Sequence, residues 1–363
     1  MSLNETVELQ KGDEENISIW KKIREISLDS FNQIYRELDT HGEIKGESFY
    51  QSRMSDLINE LDGFIVQDNG MKIIRLDNYE CPLILVKSDG GFTYDTSDLA
   101  ALKYRLFEEK ANQILYVVDS GQSLHFNMIF DTAVKLGWCS RSQVKHIGFG
   151  VILGEDGRRL KTRSGKTIKL LDVLNEVKLH AKTVTNQYCE NTNRSMSPNT
   201  LENISNKIAI NSIKYSDLNN PRENNYKFNI NKMLLTKGNT AVYLMYALAR
   251  CQGILRKTPN LHETLNGQIV INDLEMRNLS MKILKYPEVI ENSIKENAPH
   301  FICNYLYELV VSLTKFYNEN RCIEIENDQI IKVYEHRIRL INLVVVVIKK
   351  MFDLIGLEHI KQI

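Results

Sequence analysis

Three stretches of this 363-residue chain concentrate side chains that can do chemistry. The first, Ser88 to Asp98, sets Asp89, Asp95 and Asp98 around Tyr94, and the second, Asp119 to His125, adds Asp119 and Gln122. Carboxylates, an aromatic hydroxyl and an amide suit a cationic, hydrogen-bond-rich group, because guanidinium pairs bidentately with carboxylate and stacks on aromatic rings. On spacing alone the commoner use of such residues is plainer: Asp95 or Asp98 starts a helix and the others occupy turns. The third stretch is opposite in charge. Between Arg141 and Lys169 lie Arg141, Lys145, Arg158, Arg159, Lys161, Arg163, Lys166 and Lys169 against Glu155 and Asp156. Gly residues with Lys, Arg and Ser donors suit a phosphate-holding loop, and a solvated hairpin tip is the bland alternative. Farther along, Tyr243, Tyr246 and Arg250 recur at spacings of three and four, which puts them on one helix face. Aromatic rings beside Arg are what unstacked RNA bases use; for any single Tyr, a place in a helical core is the commoner fate.

Other chemistries lack their residues. There is no Walker-type GxxxxGK[ST] and no GxGxxG, and no Ser/His/Asp or Cys/His constellation assembles from the dispersed histidines. His146-Ile147-Gly148-Phe149 invites comparison with a HIGH motif, but its fourth residue is wrong and it lies inside an expected strand. The six cysteines form no CxxC pair, so no metal site and no secreted disulfide framework is expected. Lys+Arg at 46 balance Asp+Glu at 46, which excludes a basic nucleic-acid tail and leaves a nucleic-acid partner to a local patch. Met1 to Gln10 has acids and no apolar core, unlike a signal or transit peptide. Leu340 to Ile348, broken by Asn342, is far short of the roughly 20 residues that span a bilayer. A cytoplasmic protein with no membrane partner is the expectation.

The elements that must position these residues follow from periodicity. Ile19 to Leu38 has helical spacing, and Leu61 to Val86 reads as short strands with turns. From Pro82 the order is strand Pro82 to Lys87, helix Thr96 to Glu109, strand Ile114 to Asp119, helix Gln122 to Leu136 and strand His146 to Leu153. Strand alternating with helix predicts part of a doubly wound parallel sheet, whose ligands bind at the carboxyl ends of the strands. The three chemical stretches follow those ends and are expected to meet at one edge. After the helix Leu170 to Glu190 and an Asn/Ser-rich patch, the pattern is helical: Ile208 to Leu218, Thr240 to Lys257, Met276 to Lys285, His300 to Tyr317 and Lys332 to Ile355. The expected fold class is α/β plus all-α: a partial Rossmann-type catalytic domain over 1–190, a helical connector over 191–231, and an all-α bundle over 232–363.

Taken in order, several strings resemble the class I arginyl-tRNA synthetases of the eukaryotic cytosolic type. They are Gly46 to Tyr50 (GESFY), Lys87 to Ala101 (KSDGGFTYDTSDLAA), Tyr104 to Lys110 (YRLFEEK), Tyr116 to Phe126 (YVVDSGQSLHF), Gly148 to Asp156 (GFGVILGED), Lys161 to Gly165 (KTRSG), Ile213 to Leu218 (IKYSDL) and Gly238 to Arg250 (GNTAVYLMYALAR). The resemblance implies ATP-dependent activation of arginine, with Mg as the nucleotide's counter-ion, and transfer to tRNA-Arg through an arginyl-adenylate; the helical bundle is then the anticodon-binding domain. It implies that Tyr94, Asp98 and Gln122 contact arginine with His125 beside them. Phe149, Gly150 and Val151 lie near adenine through their backbone. Lys161-Thr162-Arg163-Ser164-Gly165 takes the place of the KMSKS loop, with Ser164 where that pattern has its second lysine. Tyr243, Tyr246 and Tyr317, with Arg250 on the same helix face as the first two, resemble positions facing the anticodon loop. The HIGH-bearing first half of the family's nucleotide fold has no counterpart here, so the chain is expected to be N-terminally incomplete, with a separate N-terminal fragment or a multisynthetase assembly as partners. No DNA partner is implied. The alternative from another class is a catalytically silent tRNA-binding module on the same fold.

Overall fold

A computed structural model describes residues 2–154, 156–158, 169–191, 195–327 and 329–360. They form two compact units, Met1–Gly150 and Val151–Ile363. This division falls inside the expected strand His146 to Leu153, whereas the composition places a boundary near 190. The strand is two pieces: one ends at Phe149 and the other, Ile152–Leu153, belongs to the second unit.

The first unit opens with helices α1 (Ser2–Lys11) and α2 (Glu14–Glu37), the latter started by Asp13, whose side chain accepts from the Asn16 amide at 2.9 Å. Helix α3 (Gln51–Glu60) then leads into a meander of β1 (Val66–Asp68), β2 (Met71–Ile74) and β3 (Leu83–Val86). Next come α4 (Tyr94–Phe107), β4 (Ile114–Asp119), α5 (Ser123–Lys135) and β5 (Val144–Phe149). Among the described residues of this unit, β4 and β5 are the strands that pair in parallel, in register from Ile114 with Val144 to Asp119 with Phe149.

β3 is therefore not the first strand of the parallel sheet. It pairs antiparallel with β2, and the start of α4 takes its remaining backbone groups. The Asp95 carboxylate accepts from the Ile84 amide at 2.7 Å, the Thr93 hydroxyl donates to the Ile84 carbonyl, and the Thr96 hydroxyl donates to the Leu85 carbonyl. With these groups satisfied, no strand is needed on that edge. Gly90, at φ +83°, makes the reversal that brings the Gly91 carbonyl back to accept from the Lys87 amide at 2.9 Å. The core of this unit joins Leu57, Leu83, Leu85, Leu99, Leu102, Ile129 and Phe130. One face of the β4–β5 sheet is buried through Ile114 and Tyr116, while Leu115 and Val117 on the other face are 43% and 63% exposed.

The second unit pairs β6 (Ile152–Leu153) in parallel with β7 (Tyr226–Lys227) and then becomes helical. Its helices are α6 (Leu170–Asn191), α7 (Pro198–Leu218), α8 (Ile230–Met233), α9 (Ala241–Lys257), α10 (Leu261–Leu265), α11 (Leu274–Leu284), α12 (Tyr286–Glu296), α13 (His300–Glu319) and α14 (Glu335–Leu354). Leu244, Leu248, Leu306, Leu309, Ile341, Val344 and Ile348 recur at helical spacing and close one core. The expected all-α bundle is interrupted by a hairpin of β8 (Ile323–Glu326) and β9 (Gln329–Val333), turning at Asn327 with φ +48°. The alternation Ile-Glu-Ile-Glu in β8 is the period-two signal that the helical reading passed over.

Candidate functional site: an acidic pocket and an aromatic cleft

Thr93, not either aspartate, caps α4: its hydroxyl accepts from the Asp95 amide at 3.2 Å. Asp95 and Asp98 are thereby free to turn toward α5, and both meet His125. Its Nδ1 lies 3.1 Å from Asp95 Oδ1 and its Nε2 lies 2.7 Å from Asp98 Oδ2. Bonds from both carboxylates hold the imidazole charged and raise its pKa to about 9 against the desolvation that opposes it. Glu47, in the short turn before α3, faces the same cluster. Partial burial first, and then the charge of Asp98, raise its carboxyl pKa. The first two chemical stretches thus converge at His125. Asp89 and Asp119 do not join them: Asp89 accepts from the Gly91 amide at 2.9 Å and Asp119 from the Gly121 amide at 2.7 Å, the turn role that is the plain reading of such residues.

Two exposed groups flank the cluster in sequence. Tyr94 is the first residue of α4 and is 74% exposed. Gln122 precedes α5, and its side chain makes no capping bond and is exposed. With the Tyr94 ring and the Gln122 amide exposed, two carboxylates against one cation leave the cluster one negative charge in excess among the described residues, before Glu47 is counted.

At the ends of β4 and β5 the backbones approach closely. The Ser120 hydroxyl donates to the Phe149 carbonyl at 3.0 Å, and a Cβ on Gly148 would stand 2.9 Å from Ser120 Oγ and 3.3 Å from its Cα. Gly148→Ala is therefore expected to force these loops apart and to destabilise the first unit by about 1 to 3 kcal/mol, read from the urea midpoint. Phe149 is 42% exposed at this end. In the second unit, the Val151 amide donates to Asn225 Oδ1 at 2.7 Å and its carbonyl accepts from the Tyr226 amide at 3.3 Å. Backbone contact with a base at Val151 is thus already in competition.

Of the basic stretch, Lys161, Arg163 and Ser164 lie outside the described residues, as do Arg159 and Lys166. Arg141 is not a phosphate donor but an anchor for α5. Its guanidinium donates to the Val144 carbonyl at 2.9 Å and Asn127 Oδ1 at 2.7 Å, and it lies over the Phe130 ring at 5.1 Å.

In the second unit a cleft of about 860 Å³ brings together Tyr246, Arg250 and Tyr317. Arg250 lies 5.5 Å over the Tyr317 ring, and Tyr246 stacks on Tyr188 of α6 at 4.8 Å and 20°. The Tyr246 hydroxyl is buried and has no hydrogen-bond partner among the described residues. Burial, and then Tyr188 and Cys189, push its phenol up to about 12. Arg256, Lys257 and Arg321 add positive charge to the walls, against Glu324. Tyr243 stands apart from this group: its hydroxyl lies 3.2 Å from Thr314 Oγ1 and its ring 6.0 Å from that of Tyr307. Tyr188 escaped sequence reasoning because its partner ring is 58 residues away on another helix. The basic pair Arg256-Lys257 at the end of α9 was a usable signal.

Among the described residues no helix is long and apolar enough to cross a membrane. Residues 2–230 match the model of the class I (R) tRNA synthetase catalytic domain, and residues 244–363 match the DALR anticodon binding domain. Over 99% of this chain, 54% of residues are identical to an arginine–tRNA ligase of Acanthamoeba polyphaga mimivirus, of which the chain covers 60%. A cytoplasmic arginine–tRNA ligase of Cricetulus griseus is 40% identical over 98% of this chain, which covers 55% of it. The crystal structure of the Plasmodium falciparum arginyl-tRNA synthetase superposes with a TM-score of 0.82 at 29% identity, over 99% of this chain and 61% of that one. The chain spans between half and two thirds of the length of these relatives. With an α/β unit carrying the acidic pocket, a helical unit carrying the aromatic cleft, and a catalytic-domain match over most of its length, the chain belongs to the class I tRNA synthetases of the (R) type.

Proposed function

We propose that this chain supplies the arginine-holding pocket and the tRNA-facing helical unit of a cytoplasmic, ATP-dependent arginine–tRNA ligase. The observation that carries this reading is the pair Asp95 and Asp98, converging on His125 as the one cation that bonds them among the described residues, with exposed Tyr94 and Gln122 close by in sequence. A guanidinium brings the missing positive charge, a planar fork of donors for Asp98 and a face for the Tyr94 ring. The Gln122 amide offers both a donor and an acceptor to the same ligand.

ATP, with Mg as its counter-ion, supplies the activation of the amino acid's carboxylate. Of the residue set proposed for it, Phe149, Gly150 and Val151 are described and would offer backbone groups, with no side chain on Gly150 to screen them and with the Val151 amide already donating to Asn225 Oδ1. Lys161, Arg163 and Ser164 complete the proposed set. The remaining nucleotide-binding half, carried on a longer chain or on a separate N-terminal fragment, is proposed to cover the open face of β4, because parallel strands are otherwise buried on both faces. A multisynthetase assembly is a further partner consistent with that arrangement. The names of the relatives favour the ligase over a catalytically silent tRNA-binding module.

In the helical unit, Tyr246, Tyr317 and Arg250 are proposed to receive unstacked bases of tRNA-Arg, and Arg256, Lys257 and Arg321 its phosphates. Tyr243 is assigned to the same face at its edge. Tyr246→Ala is expected to weaken tRNA-Arg binding by about 1 to 3 kcal/mol while leaving arginine binding unchanged, in filter-binding assays at fixed salt. Tyr246→Phe, which removes only the unpartnered hydroxyl, separates loss of a base contact from loss of packing. If neither variant alters tRNA binding, Tyr246 is a core residue. The whole reading is tested by aminoacylation with the full-length gene product: arginine alone among the amino acids should be joined to tRNA, and an inert product would contradict it.

A further inference from the structure

The two nitrogens of His125 are both spent on carboxylates of α4, so this side chain has no polar atom left for a ligand. Its ring is also wedged edge-on against Phe126 at 4.9 Å, and Phe126 stacks on His146 of β5 at 5.8 Å. On the other side, Asp95 is fixed by the Ile84 amide of β3 at 2.7 Å. The chain of contacts β3, Asp95, His125, Asp98 therefore ties strand, helix and the first turn of α5 into one rigid frame. Within that frame Asp98 has a single anchoring bond from the protein, through Oδ2, and its second oxygen has no hydrogen-bond donor among the described residues.

We propose that His125 is a positioning residue of the pocket: as an imidazolium it orients the Asp98 carboxylate, presents that second oxygen to the substrate's guanidinium, and cancels one of two aspartate charges so that the site takes one monocation. This inference rests on the arginine reading given above. It follows from the balance of charge and donors. A neutral imidazole has one N–H and can hold only one of two carboxylates, leaving the other facing a lone pair. Charged, it holds both. The ionisable groups facing this arrangement are Asp95 and Asp98 on α4, Glu47 before α3 and Tyr116 on β4, whose phenol is raised to about 12 by burial and, in lesser part, by Asp98. Arg105 sits behind Tyr116, 5.0 Å over its ring. The aspartates are the groups His125 holds, because they bond its two ring nitrogens, whereas Glu47 acts on the cluster through its charge on Asp98.

The test uses the whole chain, labelled at histidine Cε1 for NMR, with free arginine and its neutral isostere citrulline as probes. His125 should titrate near 9 in the wild type, and the midpoint should fall in Asp95→Asn and in Asp98→Asn. Saturating arginine should lower the midpoint, because a second cation on Asp98 repels the first, and citrulline should leave it in place. By calorimetry at pH 7, His125→Gln, which keeps a donor but no charge, should lose at least tenfold in arginine affinity with no change toward citrulline and no change in the fold's amide spectrum. A His125 midpoint near 6.5 overturns the clamp. Arginine affinity in His125→Gln equal to wild type overturns the positioning role while the arginine reading stands. No arginine binding by the wild type, with the midpoint still near 9, overturns the arginine reading and leaves the clamp as a structural feature only.

Discussion

Asp98→Asn is expected to weaken arginine binding by on the order of 100-fold, about 3 kcal/mol, the size of effect seen when one partner of a desolvated charge pair is neutralised. Asparagine keeps the shape of the side chain, so the loss reports charge and acceptor geometry, not packing. Calorimetric titration with arginine checks it, and an affinity within threefold of wild type would remove Asp98 from the pocket. The same substitution has a second, independent signature in stability. His125 in the folded state has its pKa raised from 6.5 to about 9, so it binds a proton more tightly than in the unfolded chain. Its contribution is complete below pH 6.5 and is lost as pH rises through about 9, with an upper size of about 3 kcal/mol from the shift. Asp98→Asn removes one of the two carboxylates responsible, so the wild type should lose stability across this window and the variant should lose less. Urea midpoints at pH 6, 7.5 and 9 measure the difference.

The second large effect is expected far from the pocket, at Arg339 of α14. This residue is 8% exposed, and its guanidinium donates to the carbonyls of Thr264 at 2.7 Å, Gln268 at 2.9 Å and Asn266 at 3.2 Å, besides pairing with Glu335. The segment after α10 is wrapped around the fork so closely that a Cβ on Gly267 would stand 2.9 Å from Nη2. Arg339→Met keeps the aliphatic stem but leaves three carbonyls without their donor. A loss of about 3 to 5 kcal/mol in the stability of the helical unit is expected from buried acceptors stripped of a charged partner. Lysine cannot rescue it, since a single ammonium cannot span the planar fork. Urea unfolding followed by far-ultraviolet circular dichroism checks this. A shift below 1 kcal/mol would mean that water replaces the guanidinium at these carbonyls.

What the sequence made legible, and what it hid, follows the range of the interactions involved. α4, α5, α9 and α13 announce themselves through local spacing and caps, and the strings around Tyr94, Gln122 and Tyr246 are long enough to carry a family resemblance. β3 misled because a short apolar run followed by a helix is common to both parallel and antiparallel strands. What decides between them is that Thr93, Asp95 and Thr96 satisfy the backbone of Ile84 and Leu85, a contact visible only once α4 is folded back. The same fold-back explains why Asp95, the expected cap, became a partner of His125. The stretch at 149–152 reads as one strand because its residues are uniformly apolar or Gly, yet β5 pairs with β4 and β6 with β7. Tyr188 and the β8–β9 hairpin reached the aromatic cleft through the packing of distant elements, which no local spacing encodes.

The central claim, that the carboxylates of α4 receive a guanidinium, is met most directly by one measurement: calorimetric titration of the chain at pH 7 with arginine and, separately, with citrulline. The two ligands share shape and differ in the charge and donor count of the terminal group. The structure predicts saturable binding of arginine at least 100-fold tighter than of citrulline, on the order of a charged against a neutral partner for a held carboxylate. Equal affinities, or no binding of arginine while citrulline binds, would contradict it.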